Sequence, residues 1–172
     1  GYYEVALDDG HIYDTLLFRD KDLKIIPWLA ESWRVVNPTT WEFKLRKGVK
    51  FHNGETFTSR AVQFSLERLK DKKLARSGWW SELDRVDTPD DYTAILRTTA
   101  PVGMMLSNLM TPTVIYSPKA AQDGGPTFYE KPIGTGPYKF VRYTPGQQAV
   151  YERFDDYWGT PAKTENLIRR YF

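Results

Sequence analysis

At 172 residues, 41% hydrophobic and 15% aromatic, the chain falls in the globular class and carries enough apolar material for one core or two small ones. Its 24 basic and 22 acidic side chains leave a net charge of +2, which gives no electrostatic reason to expect nucleic acid or an anionic membrane surface as partner. The absence of cysteine excludes disulfides, thiolate metal sites and a cysteine nucleophile, and no apolar run approaches the ~20 residues that span a bilayer.

In chain order, Gly1 to Leu17 is expected to form a helix carrying Val5, Ile12 and Leu16, weakened by Gly10 and followed by a strand near Leu16 to Phe18. Asp20 to Leu23 reads as a polar turn. Trp28 and Trp33 are expected in the core, because large aromatics mostly serve packing. The clearest pattern runs from Trp41 to Leu69. Trp41, Phe43 and Leu45 alternate with Glu42, Lys44 and Arg46, so a period of two puts the apolar set on one buried strand face. A second short strand, Val49 to Phe51, leads into Asn53-Gly54, a pair suited to the positive backbone angles of a tight turn. Thr58 or Ser59 then caps a helix whose apolar stripe is Val62, Leu66 and Leu69, widened by Ala61 and Phe64. The basic residues Arg68, Lys70, Lys72, Lys73 and Arg76 read as a solvated helix end.

The stretch Leu74 to Glu82 is a polar loop interrupted by Trp79 and Trp80. Leu83 to Asp87 and Tyr92 to Thr98 make a hairpin about Thr88-Pro89-Asp90-Asp91. The acidic set Asp84, Asp87, Asp90 and Asp91 lacks the spacing and closing glutamate of a calcium loop, so no metal is expected there. Pro101 opens a helix from Val102 to Met110, with Met104, Met105, Leu106 and Leu109 as core filler. A strand at Thr113 to Tyr116, a helical turn at Pro118 to Gln122 and a loop at Asp123 to Pro126 follow. Gly134-Thr135-Gly136 lacks a third glycine and leads through Pro137 into a strand, which excludes a phosphate-binding helix start. A tight return of the chain, with a backbone path that only glycine allows, is the better account. Tyr138 to Tyr143 and Ala149 to Phe154 are strands about Pro145-Gly146, and Leu167 to Phe172 is one further strand. His11 and His52 are the only histidines, the residue type whose unperturbed pKa lies nearest neutrality. His52 is expected at the surface or in the turn it precedes. No nucleophile with its base and no framed carboxylate pair is present, so neither an enzyme nor a cofactor is expected.

Six blocks, IYDTLL from Ile12, LKIIPWLAESW, the Trp41 to Leu69 stretch, VIYSPKA, PIGTGPYKF and the FDDYWG that ends at Gly159, resemble in that order the extracellular solute-binding proteins of family 5, which feed peptides, nickel chelates and related small solutes to ABC importers. The resemblance implies an α+β, mixed fold: the first-lobe part of a periplasmic-binding-protein type II fold. Residues 1–16 and 132–172 would belong to its larger, sheet-based domain and 17–131 to an inserted smaller domain, with lobe II absent and the chain a fragment. Pro27 to Trp33 would be a proline-led helical turn entering the first strand of the small domain. The implied partners are a peptide or small-molecule ligand and an ABC transporter permease, in the periplasm or outside the cell, with no nucleic acid and no membrane insertion. Peptide is the expected ligand class. The IIPWLAESW wording keeps a nickel or metal chelate as an alternative, and a stand-alone, non-catalytic interaction domain is a third reading. Aromatic walls suit concave sites for amphipathic ligands. The resemblance puts Trp79, Trp80, Tyr2, Tyr3 and His11 near the ligand wall.

Overall fold

The computed structural model describes residues 10–71, 77–110 and 113–171. They fall into two compact units that interleave along the chain, one drawn from residues 10–14, 48–57 and 116–171, the other from Thr15–Lys47 and Thr58–Ile115. Segments 48–57 and 116–131 therefore group with the chain ends rather than with the rest of 17–131. The physical reason is direct bonding: the His52 N–H donates to the Gly134 carbonyl at 2.9 Å, and Asn53 Nδ2 donates to Ser117 Oγ at 3.2 Å.

In the second unit, β1 (Leu17–Arg19) and β2 (Ile25–Pro27) pair as a short antiparallel ribbon. β3 (Ala30–Asn37), β4 (Thr40–Leu45), β5 (Leu83–Asp90) and β6 (Thr93–Thr98) form an antiparallel sheet ordered β3-β4-β6-β5. The period of two in β4 buries Phe43 and Leu45 and leaves Lys44 in water. Opposite them in register, Ala94 faces Phe43 and Leu96 faces Trp41, which extends one apolar face across two strands. α1 (Ser59–Arg68) packs against β5 and β6 and buries Ala61, Val62 and Leu66. Each such leucine contributes about 1.5–3 kcal/mol relative to leaving it exposed.

The start of α1 differs from expectation. Thr58 occupies the capping position without a side-chain bond, and the Ser59 hydroxyl instead donates to the Asp90 carbonyl at 2.6 Å. The Ser59 N–H donates to the Asp91 carbonyl at 2.7 Å, so the β5–β6 turn caps the helix. Three of the acidic set are engaged by this hairpin: Arg85 holds Asp84 and Asp87, and the Asp90 carboxylate accepts the Tyr92 N–H. β3 lies at a sheet edge with Val35 and Val36 exposed, which is why Trp33 is half-buried rather than in the core. Trp28 is also half-buried and stacks on Phe18, ring centres 5.0 Å apart.

Pro27 to Trp33 is no helical turn. Leu29 and Ala30 donate their N–H groups to the Thr15 and Leu16 carbonyls, which holds a bend at Trp28 and Leu29 between β2 and β3. The expected helix from Val102 shortens to α2 (Met105–Asn108), with Met105 buried and Met104 turned outward. The expected strand at Thr113 to Tyr116 is one bridge, Val114 to Thr15.

The other unit contains α3 (Pro118–Gly124), a 3-10 turn over Gly125–Glu130 where a loop was expected, and β7 (Tyr138–Thr144), β8 (Gln148–Arg153) and β9 (Asn166–Arg170) in one antiparallel sheet. Ser117 caps α3 by accepting the Ala120 N–H at 2.9 Å. Val49 to Phe51 is reduced to a bridge between Lys50 and Thr56 around the Gly54 turn, where φ is +82°. Gly10 to Asp14 forms a turn and then runs extended, in place of the expected helix. Its carbonyls are taken elsewhere: Ile12 accepts from the Gly136 N–H at 2.8 Å and His11 from the Tyr138 N–H at 2.9 Å. Residues 1–9 lie outside the described residues.

Those bonds explain the two glycines. Neither Gly134 nor Gly136 has a positive φ, so conformational freedom is not their role. A Cβ on Gly134 would stand 2.0 Å from the Ile12 carbonyl oxygen, and one on Gly136 2.6 Å from that of His11. Backbone meets backbone with no room for a side chain. Gly134→Ala is expected to destabilise the protein by about 3 kcal/mol. Gly78→Ala, which meets nothing within 4 Å, should stay within about 0.5 kcal/mol of the parent. Urea titration of both variants checks this, and equal midpoints would refute the close-approach account.

Candidate functional site

A cleft in the second unit is built from β1 outward. Leu17 is buried and donates its N–H to the Leu109 carbonyl at 3.3 Å, which fixes the strand beside α2. One step further Phe18 and Arg19 emerge into solvent. Facing them is the 3-10 turn Ser77–Trp80. Trp80 is 3% exposed and its indole Nε1 donates to Thr113 Oγ1 at 3.1 Å, so it is the anchor of the turn. Its neighbour is thereby turned outward: Trp79 is 55% exposed, and its carbonyl accepts from Asn108 Nδ2 at 3.0 Å. Phe18, Arg19, Trp79 and Met104 line an open cleft of about 780 Å³, completed by Ser107, Asn108 and Met110. Its walls are aromatic and thioether. Arg19 is the one ionisable group in the lining, and among the described residues no carboxylate pairs with it; one guanidinium nitrogen reaches the Leu23 carbonyl at 3.3 Å.

The sequence-predicted residues divide. Trp79 lines the cleft, Trp80 lies beneath it in the core, and Tyr2 and Tyr3 lie outside the described residues. His11 is exposed in the other unit, its ring 6.0 Å from that of Tyr138. Sequence reasoning missed Phe18, Arg19 and Asn108. A strand of three residues shows too short a pattern to reveal which side chains emerge, and Asn108 is recruited by a backbone carbonyl distant in sequence.

His52 lies in a turn, as expected, but half-buried, and acts there as a clamp within its unit. Its Nδ1 accepts the Gly134 N–H at 3.3 Å, and its Nε2 lies 2.9 Å from the Gly136 carbonyl. Only neutral imidazole with the proton on Nε2 satisfies both. The Phe154 ring meets it edge-on at 5.0 Å. Burial, with a smaller push from the Lys139 ammonium, lowers its pKa from 6.5 to about 4 against the opposing Gly136 bond. Nearby, the buried Asp14 carboxylate accepts from Thr135 Oγ1 and from Trp158 Nε1, each at 2.9 Å. Glu55 accepts from the Ser117 hydroxyl. These contacts fasten the Gly134–Gly136 return on both sides.

The linkage gives a sign. Between pH 6.5 and about 4 the unfolded chain binds a proton at this histidine that the folded chain refuses. Stability is therefore full above pH 6.5 and falls by about 3 kcal/mol as pH drops to the folded value. His52→Gln, which cannot titrate, is expected to lose that part of the acid dependence while being less stable at pH 7. Urea midpoints at pH 7, 5.5 and 4.5 report it; identical pH dependence in parent and variant would remove His52 from the account.

Comparison with known proteins places the chain in a family. The model for bacterial extracellular solute-binding proteins, family 5 Middle, matches residues 24–172, and the chain belongs to that family. Glutathione-binding protein GsiB of Pectobacterium atrosepticum is 35% identical over 150 residues, covering 85% of this chain and 29% of that protein. The periplasmic binding protein DppA of Helicobacter pylori, solved in complex with the peptide STSA, superposes with a TM-score of 0.84 at 29% identity, covering 98% of this chain and 38% of that one. The binding protein MoaA of A. tumefaciens R10, in complex with mannopinic acid, gives 0.90 at 28% identity, covering 99% and 36%. The mixed α and β fold expected from the sequence is the one these neighbours share. The chain spans 29% of the length of its glutathione-binding relative.

Proposed function

We propose that this chain supplies part of the solute-binding component of an ABC importer, which captures a peptide or similar small solute outside the cytoplasmic membrane, in the periplasm, and delivers it to a membrane permease. Trp79 carries the reading: a large aromatic held outward over a cleft by a buried neighbour, at the end of a turn whose backbone is pinned by Asn108. Aromatic walls with a few polar tips hold amphipathic ligands, and peptides are such ligands. Peptide as ligand class is supported by a relative that is a glutathione-binding protein and a neighbour solved with a peptide. The family is one of binding proteins, and no residue here is assigned a catalytic role. Closure on the solute would then come from hinge motion against a second lobe formed by other residues of the protein.

Substitution separates binding from packing. In the protein as its source cell makes it, Trp79→Ala is expected to weaken peptide affinity by roughly tenfold or more with an unchanged Tm. Trp80→Ala should lower stability by about 3–5 kcal/mol. Calorimetric titration and thermal unfolding measure the two effects, and unchanged affinity in Trp79→Ala would take that residue out of the ligand wall.

A further inference from the structure

Resting on the peptide-binding reading, we infer that the Trp79 cleft receives the carboxyl end of the peptide, with the side chain of an apolar last residue against Trp79 and Met104 and the terminal carboxylate on Arg19. The cleft offers charge of one sign only. Arg19 brings a guanidinium that no carboxylate engages among the described residues, and no acidic side chain lines the walls. A peptide's ammonium end would find no counter-charge there. Its carboxylate would find a planar fork of donors suited to two parallel hydrogen bonds.

The rest of the lining fits an apolar side chain of variable shape. Phe18 is stacked on Trp28 at 5.0 Å, and the Trp79 backbone is held by Asn108 with Trp80 anchored beside it, so both aromatic walls start from fixed positions. Met104, 63% exposed, is unbranched and polarizable, which lets one wall adapt to differing occupants. The Ser107 side chain adds a hydroxyl that makes no hydrogen bond among the described residues. Positioned aromatics, an adaptable thioether and one cation together select for a carboxylate attached close to an apolar group, while leaving the identity of that group open.

Methionine methyl groups report the cleft directly. Met104 and Met110 line it, and Met105 is fully buried and serves as internal reference. The experiment titrates the methyl-13C-methionine-labelled protein, as its source cell makes it and with these three resonances assigned by substitution, with Ala-Ala-Leu and with its carboxyl-terminal amide. Calorimetry runs in parallel. The expected result is that Ala-Ala-Leu shifts the Met104 and Met110 methyls and leaves Met105 in place. The amide should bind roughly tenfold more weakly, and Arg19→Gln should bring the free acid down to the amide's level. Heat of binding with unmoved Met104 and Met110, or equal affinity for acid and amide, overturns the cleft assignment and leaves the peptide reading standing. No heat from either peptide, with the fold intact by thermal unfolding, overturns both.

Discussion

The contact on which much of the first unit depends is one of backbone against backbone. Gly134 and Gly136 lie so close to the carbonyls of His11 and Ile12 that a single methyl at either position would collide with them. Such an approach requires that the polar groups it covers be paired. The Gly136 and Tyr138 N–H groups use the two carbonyls, and His52 takes the Gly134 N–H and meets the Gly136 carbonyl. Thr135, between the glycines, donates to a buried carboxylate that also receives the Trp158 indole. Backbone, imidazole and carboxylate form one connected arrangement, so loss of any member leaves buried polar atoms unsatisfied.

This arrangement explains why the chain was recognisable from its sequence. Asp14 lies in IYDTLL, His52 in the central stretch, Thr135 in PIGTGPYKF and Trp158 in FDDYWG, and the structure brings all four blocks to the same return. The family signal in these blocks therefore reports the scaffold rather than a solute site. Strand periodicity was equally legible, because Phe43 and Leu45 in β4 and Ala94 and Leu96 in β6 are buried at alternate positions, although Trp41 is only half-buried. Local reasoning failed where a distant group outcompeted the local one. Val5, Ile12 and Leu16 suggest a helix from Gly1 to Leu17, yet the carbonyls of His11 and Ile12 are bonded across the unit. Ser59 has a capping side chain, yet its hydroxyl is drawn to Asp90. His52 is the turn residue the sequence suggests, but nothing near it in sequence reveals the two glycines it grips.

The features of the cleft are of the opposite kind. Trp79 and Trp80 are adjacent and identical in type, and the buried one is the one whose indole reaches Thr113. A pair of tryptophans in a polar loop announces that something apolar is needed there without saying which member serves the core. The cleft around Trp79 is a mosaic of side chains from β1, the 3-10 turn and α2, each placed by a backbone bond rather than by a motif. Its chemistry can be changed by substitution with little effect on the sheet. A family that serves many solutes on one scaffold requires that separation.

The interleaving of the two units carries a consequence for the order of events during synthesis. In the unit built on β3 to β6, strands β3 and β4 and strands β5 and β6 are sequential hairpins, closing over short loops. The other unit joins residues far apart: Thr135 meets Asp14 across 121 positions and Trp158 meets it across 144. Contacts of such separation carry a large loop-closure cost and form late. As the chain emerges, the hairpin sheet with α1 can consolidate while His11 and Ile12 wait, their carbonyls without the glycines that will cover them. Nascent chains stalled before Gly134 should therefore resist protease in one unit and yield to it in the other, which makes the glycine return a late stitch in the assembly of its unit.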